Sequence, residues 1–219
     1  MSPNFCIVIA MIEPSLPNTQ NNDNIQRSRW NLPDGYEVRR VDRFEEPEYK
    51  GLVKQILYGE HPTVDWANFM SESEIETQAK LRKDFGRANP VRLGAYKEGK
   101  LVGFCFGFQD CDSSFSMAAS GVLPEHRRKG LYRFLAERML EISKGMDFPQ
   151  VSSRHVATNN AVLIAKLKLG FVVTGMELSE TFGTLLQLTY FHHPLRRKVF
   201  HVRAGLARPD EQAKSVLGF

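Results

Sequence analysis

Past Gly35 the hydrophobic positions recur alternately at every second residue and at every third or fourth, and each switch of period marks an element. Residues 36–41 alternate and predict a strand. Between Pro47 and Tyr58 the apolar positions Tyr49, Leu52, Val53, Ile56 and Leu57 recur at helical spacing, and Gly59 stops the helix. Ser71 with Glu74 three residues on forms a capping box for a second helix, reaching about Phe85. Residues 91–96 and 101–108 read as strands of a hairpin turned by Lys97, Glu98, Gly99 and Lys100. Residues 115–123 predict a further strand. A stripe of Leu131, Phe134, Leu135, Met139 and Ile142 then sets a helix that ends before Gly145. Residues 150–157 read as a strand. Residues 160–169 form a short helix capped by Asn159 or Asn160, with Gly170 where left-handed geometry is needed. Strands over 171–174 and 184–191 complete the series. The order βααβββαβαββ predicts an α/β (α+β) fold, a mixed sheet with helices on both sides, and no repeat is visible.

Composition adds the boundaries. Residues 13–34 carry Pro14, Pro17, Pro33 and an Asn/Gln-rich stretch over 18–26, which predicts an arm or linker. The expected division is an arm over 1–34, a domain over 35–193 and an extension over 194–219. For the extension, covering the sheet edge, supporting a homodimer and lying disordered all stay open. At 42% hydrophobic residues the 219-residue chain can bury a sizeable core. Cys6, Cys105 and Cys111 are too few and too scattered for a disulfide framework, which points to a reducing compartment. The apolar run over 5–12 is too short to span a bilayer and lacks a basic leader, so a cytoplasmic protein without a membrane partner is expected. The net charge of +4 permits nucleic acid, acidic proteins or a polyphosphate as partner. A nucleic-acid footprint needs basic residues spread over one face, however, and the dense clusters are only Arg127-Arg128-Lys129 and Arg196-Arg197-Lys198. Nucleic acid is therefore not expected.

The first cluster lies between the strand ending at Leu123 and the helix starting near Leu131. The first backbone N–H groups of a helix lack partners and, with the positive end of the dipole, form an anion site. Gly130 has no Cβ to hold a phosphate off the backbone. Each charge-assisted hydrogen bond there can contribute roughly 1.5–3 kcal/mol, so three or four outweigh the screened attraction of Arg127, Arg128 and Lys129. On these grounds alone the segment reads as an anion site or as a solvated basic turn.

The spacing of Val122, Pro124, Arg127 and Gly130 resembles the pyrophosphate-binding motif of the GNAT superfamily of N-acetyltransferases, V-x-P-x-x-(Q/R)-x-x-G-x-(G/A). A second match follows: Asn160-Ala161 and then Leu169-Gly170-Phe171 resemble the family's N-x-x-A…G-F helix beside the pantetheine arm. The element order agrees, so the resemblance covers about residues 35–193. It implies a mostly antiparallel sheet of six to seven strands with a V-shaped gap between two central parallel strands. The backbone of Gly121, Val122 and Leu123 would bind the pantetheine of acetyl-CoA almost as an added strand. The amides of Arg128, Lys129, Gly130, Leu131 and Tyr132 would hold its pyrophosphate, with Arg127 and Asn160 in the same motifs. The acceptor, a small-molecule or peptide amine, would enter from the opposite side and attack the thioester directly.

Two positions depart from that family. Tyr132 stands where Gly or Ala is usual. Lys166, four residues before Gly170, stands where many relatives carry a Tyr that protonates the departing thiolate. An ammonium there could stabilise a thiolate and donate a proton; the alternative is an exposed helix residue. No general base announces itself. His155 could serve directly or through a water, or could be a histidine satisfied by the core. Glu125 reads as solvated, and Asp110 and Asp112 as turn formers. At neutral pH a lysine-type amine needs roughly 4–5 kcal/mol to deprotonate and an α-amino group only about 1, so the missing carboxylate favours a low-pKa acceptor. The pair His192-His193 has no third ligand in sight, and no metal is expected. The second cluster, Arg196 to Lys198, reads as surface charge or as a site for an acidic partner. Phe104, Phe106 and Phe108 alternate as core strand residues. The resulting expectation is an acetyl-CoA-dependent N-acyltransferase; the alternative is a domain that binds acyl-CoA as a sensor or scaffold without turnover.

Overall fold

A computed structural model describes residues 32–59, 64, 69–84, 88–111 and 113–218. Of the expected arm over 1–34, residues 1–31, with Cys6 and the apolar run, lie outside the described residues, as do Phe85 and Asp112. The strands are β1 (Tyr36–Arg40), β2 (Ala88–Lys97), β3 (Lys100–Cys111), β4 (Ser114–Val122), β5 (Gln150–Val156), β6 (Val172–Ser179) and β7 (Gly183–Phe191). The helices are α1 (Glu48–Val53), continued by a wider π-helical turn over Lys54–Tyr58, α2 (Glu72–Asp84), α3 (Leu131–Gly145), α4 (Asn160–Leu169), α5 (Pro194–Arg203) and α6 (Glu211–Leu217). The capping box at α2 forms as expected: the Ser71 N–H donates to the Glu74 carboxylate at 2.8 Å and the Glu74 N–H to Ser71 Oγ at 3.3 Å. Asp110 differs from expectation, because β3 runs on past it and it stands in a strand rather than at a turn.

The seven strands form one sheet in the order β1-β2-β3-β4-β5-β7-β6. Every neighbouring pair is antiparallel except β4 and β5, the two central strands. Phe104, Phe106 and Phe108 point to one face, where they pack with Phe44, Tyr49, Leu52 and Ile56 of the α1 side. Cys105, between them, points to the other face, with Leu131, Leu135 and Met139 of α3 and Leu163 of α4. The two periods read from the sequence thus meet: a strand period of two supplies both faces of the sheet, and each face is covered by a helix stripe. Leu131, Phe134, Leu135 and Met139 are all buried, each contributing about 1.5–3 kcal/mol of apolar burial.

The parallel pair is short. Ser114, Phe115 and Ser116 pair with Gln150, Val151 and Ser152, and the ladder ends there. On its other side β4 bulges at the same level: Phe106 opposes Ala119 and Gly107 opposes Met117, so Ala118 is an extra residue. A bulge bends its strand and raises the local twist. Beyond it β4 runs from Met117 to Val122 beside β3 alone, and β5 runs from Ser153 to Val156 beside β7 alone. The result is a split in the middle of the sheet, closed at the start of the two strands and open at their ends. The residues over 194–218 fold into α5 and α6. The His193 side chain caps α5, and Asp210 caps α6 while accepting from Lys198 Nζ at 2.6 Å. Lys198 is therefore paired within the chain.

Candidate functional site

At the open end of the split β4 leads into a loop that ends at α3. Pro124–His126 make one 3-10 turn, Arg127 is extended, and Arg128 (φ 61°) and Gly130 (φ 85°) both take left-handed backbone. Such alternation turns successive N–H groups toward one side, as in an anion-binding nest. No described group accepts from the N–H groups of Arg128, Lys129 or Gly130. Gly130 caps α3 without a side-chain hydrogen bond, which leaves the first helical N–H groups open as well. The side chains do otherwise. Arg127 Nε donates to the Val122 carbonyl at 2.8 Å. Lys129 Nζ donates to the Glu125 carbonyl at 3.1 Å and to the Tyr36 hydroxyl at 3.3 Å. Arg127 and Lys129 thus brace the loop, and what it offers outward is its amide row together with the exposed side chain of Arg128.

Along the split, Gly121 sits where a Cβ would meet Ile56 Cγ2 at 2.4 Å, so only glycine lets the helical turn after α1 lie against β4. The Leu123 N–H is taken by the Val102 carbonyl at 2.9 Å. Tyr132, at the start of α3, turns inward, and its hydroxyl accepts from Ser120 Oγ at 3.4 Å. Burial raises its pKa, so it stays a neutral phenol. The cap of α4 is Asn159, whose side chain accepts from the Val162 N–H at 3.3 Å; Asn160 is exposed at the first helical position.

Lys166 is not an exposed helix residue. It is fully buried at 0% exposure, with its ammonium hydrogen-bonded to Met117 Sδ and 4.3 Å above the centre of the Phe171 ring. Met117 is the first β4 residue past the last β4–β5 pair, so the lysine reaches the closed end of the split from the α4 side. Burial depresses its pKa to about 8, partly countered by Cys105. The Cys105 thiol is pushed up to about 12 by the same burial, against the pull of Lys166. His155 Nε2 and Ser153 Oγ, on the unpaired stretch of β5, are buried without a hydrogen-bond partner among the described residues. His155 is held neutral, its pKa pushed down to about 3 by burial and then by Lys166. Among the described residues Lys166 is the only buried Asp, Glu, Lys or Arg.

At the far end of β5 a cavity of about 420 Å³ is lined by residues that include Val64, Val156, Thr158, Glu180, Phe182 and Thr184. Sequence reasoning missed this cavity, and with it Ser153, Ser120 and Cys105. The cysteine was within reach, since its place between the alternating Phe104 and Phe106 puts it on the opposite face of β3. The histidine pair has other work: His192 Nε2 lies 3.1 Å from Ser143 Oγ, and His193 caps α5. No group of three potential metal ligands is found among the described residues.

Comparison with known proteins gives the class of this arrangement. Solved structures share the fold at low identity. An IAA acetyltransferase from Bacillus cereus has 14% identity and a TM-score of 0.51, covering 71% of this chain and 99% of its own. The ribosomal-protein-S18-alanine N-acetyltransferase from Escherichia coli has 15% identity and a TM-score of 0.52, covering 71% and 93%. A GNAT family acetyltransferase from Elizabethkingia anophelis, with acetyl-CoA bound, has 11% identity and a TM-score of 0.51, covering 72% and 99%. No curated protein matches the sequence. The sequence profile of the acetyltransferase (GNAT) family matches residues 56–171, more than half of the chain, and the chain belongs to that family.

Proposed function

We propose that the protein transfers an acetyl group from acetyl-CoA to a primary amine by direct attack in a ternary complex. The observation that carries this reading is the amide row from Arg128 to Leu131, without acceptors and at the open end of the split. The residues present fit coenzyme A. The amide row suits a pyrophosphate, the unpaired edge of β4 from Met117 to Val122 suits an amide-containing arm, and the orphaned Ser153 Oγ and His155 Nε2 await partners. Acetyl-CoA, when bound, supplies the thioester.

The acceptor amine enters through the cavity beside Val156 and Phe182, from the side opposite the amide row. Glu180 at its wall favours a cationic substrate on arrival. Lys166 stabilises the departing thiolate and returns a proton to it. With a pKa of about 8 it remains largely an ammonium at neutral pH and is closely matched to a thiol, whose reference value is about 8.5 in cysteine. His155 is too weak a base at about 3 to store a proton at neutral pH, so its role is to accept a hydrogen bond from the amine or from a water. With no buried carboxylate among the described residues, the favoured acceptor is an amine of low pKa, such as an α-amino group.

Titration calorimetry with CoA and acetyl-CoA at low salt, followed by thiol release with a panel of amines, tests the reading. Absence of binding by either compound would overturn it. Binding without thiol release from any amine would leave a sensor or scaffold in place of an enzyme.

A further inference from the structure

We infer that Lys166 is itself an acyl acceptor: when acetyl-CoA is bound and no amine is supplied, its Nζ takes the acetyl group and the protein modifies itself at the closed end of the split. The inference rests on the acetyl-CoA reading above and goes beyond it, to a modification site.

Geometry is the first argument. The thioester sulphur is bonded directly to the carbonyl carbon, so a group placed to protonate the sulphur is also within non-bonded reach of that carbon. For a phenol this proximity has little consequence, because a protonated phenol is a poor nucleophile. For an amine it is an invitation. The second argument is the surroundings of Nζ. Most protein ammonium groups are held charged by solvent or a carboxylate; Lys166 is sealed from solvent and forms no ion pair with a carboxylate among the described residues. It is fully buried, against a thioether and an aromatic face. The titratable groups that couple to it are Cys105 from β3 and His155 from β5, with Tyr132 from α3 coupled to Cys105 in turn, and each is itself held neutral by burial. A thioether and an aromatic face hold an ammonium less firmly than water or a carboxylate does, and burial brings the lysine's pKa down to about 8, so a neutral fraction is within reach just above neutral pH.

The chemistry balances without another reactant. The lone pair of neutral Nζ attacks the acetyl carbonyl carbon, the carbon–sulphur bond breaks, and the thiolate takes the proton lost by nitrogen. The products are Nζ-acetyl-Lys166 and free CoA. An amide does not pass its acyl group on to a second amine, so the modified protein has lost both the charge and the proton that serve the leaving group. The consequence is self-inactivation in the absence of acceptor, slowed when an acceptor amine competes.

The full-length protein is incubated with acetyl-CoA from pH 7 to pH 9, with intact-mass analysis and peptide mapping as readouts and calorimetry in parallel. Expected is one acetyl group per chain at Lys166. Its rate should rise about tenfold between pH 7 and pH 9, with the midpoint near 8, as the neutral fraction does for a pKa of about 8. The exposed Lys168 on the same helix should react at least tenfold more slowly, and Lys166→Arg should abolish the modification while still binding acetyl-CoA. Acetyl-CoA bound by calorimetry with Lys166 unmodified at pH 9, or acetyl spread equally over Lys168 and other surface lysines, overturns this inference alone. No binding by calorimetry overturns the acetyl-CoA reading and this inference with it.

Discussion

Lys166 and Gly130 do their work in different ways, and single substitutions separate them. If Lys166 acts only as charge develops on sulphur, Lys166→Met should lower kcat tenfold or more, about 1.4 kcal/mol per decade, with little change in the KM for acetyl-CoA. Lys166→Tyr should keep much of the activity. Steady-state kinetics with the best amine found checks both, and a Met variant at the wild-type rate would show that the thiolate leaves unaided. At Gly130 an added Cβ would meet nothing within 4 Å, so the harm from Gly130→Val comes from the backbone, which holds φ at 85°. A β-branched residue there costs on the order of 1–3 kcal/mol and tilts the amide row. CoA affinity should fall further in Gly130→Val than in Arg128→Ala; equal or reversed losses would show that side chains hold the phosphates. The position of Lys166 was legible through its distance from Gly170, but its burial was not. On α4 the apolar Ile164 and Leu167 are 52% and 46% exposed while the lysine is sealed in, the reverse of what hydrophobic patterning predicts.

At the scale of elements, the split depends on a bulge and on two glycines that let neighbours close on it. Gly107 faces the bulge on β3, and a Cβ there would meet Phe115 Cε1 at 2.4 Å and the Ser116 carbonyl oxygen at 2.7 Å. One of those is backbone of the last paired stretch of β4. Gly107→Ala should therefore destabilise the fold by about 1–3 kcal/mol, as overpacking does, and also weaken CoA binding by shifting the split. Chemical denaturation and calorimetry on the same variant check the two effects; unchanged stability would mean that the strands move apart without cost. The alternation of Phe104, Phe106 and Phe108, the stripe of α3 and the capping box at Ser71 were all legible, because each is a local pattern. The bulge at Ala118 was not, since it exists only as a register against β3. Nor was the wider turn over Lys54–Tyr58, whose apolar spacing reads as ordinary helix. The helices α5 and α6 carry readable starts at His193-Pro194 and Asp210, and the open reading of residues 194–219 passed over them.

At the split the described residues include two nitrogen bases shielded from water, Lys166 and the Nε2 of His155, and stability must follow them with pH. Both have pKa values lower in the folded chain than in the unfolded one, so between the two values the unfolded chain holds the extra proton and stability rises with pH. For His155 the window runs from about 3 to the ordinary 6.5: stability is full above 6.5 and is lost as pH falls toward 3. For Lys166 the window runs from about 8 to 10.5. Below 8 the folded protein bears the whole cost of a buried ammonium, and that cost is relieved progressively up to 10.5. A shift of that size corresponds to about 3 kcal/mol in total. Denaturation free energies of wild type and Lys166→Met should therefore differ by a constant amount between about pH 6.5 and 8, below which the pull of Lys166 on His155 enters as well. From pH 8 to 10.5 the wild type should gain on the variant by an amount of that order. A constant difference across the whole range would show that Nζ keeps its ordinary pKa and reaches water in the folded protein. The same result would remove the close match to a thiol pKa that favours its acid role and most of the neutral fraction that acylation at pH 9 needs, so one titration bears on both.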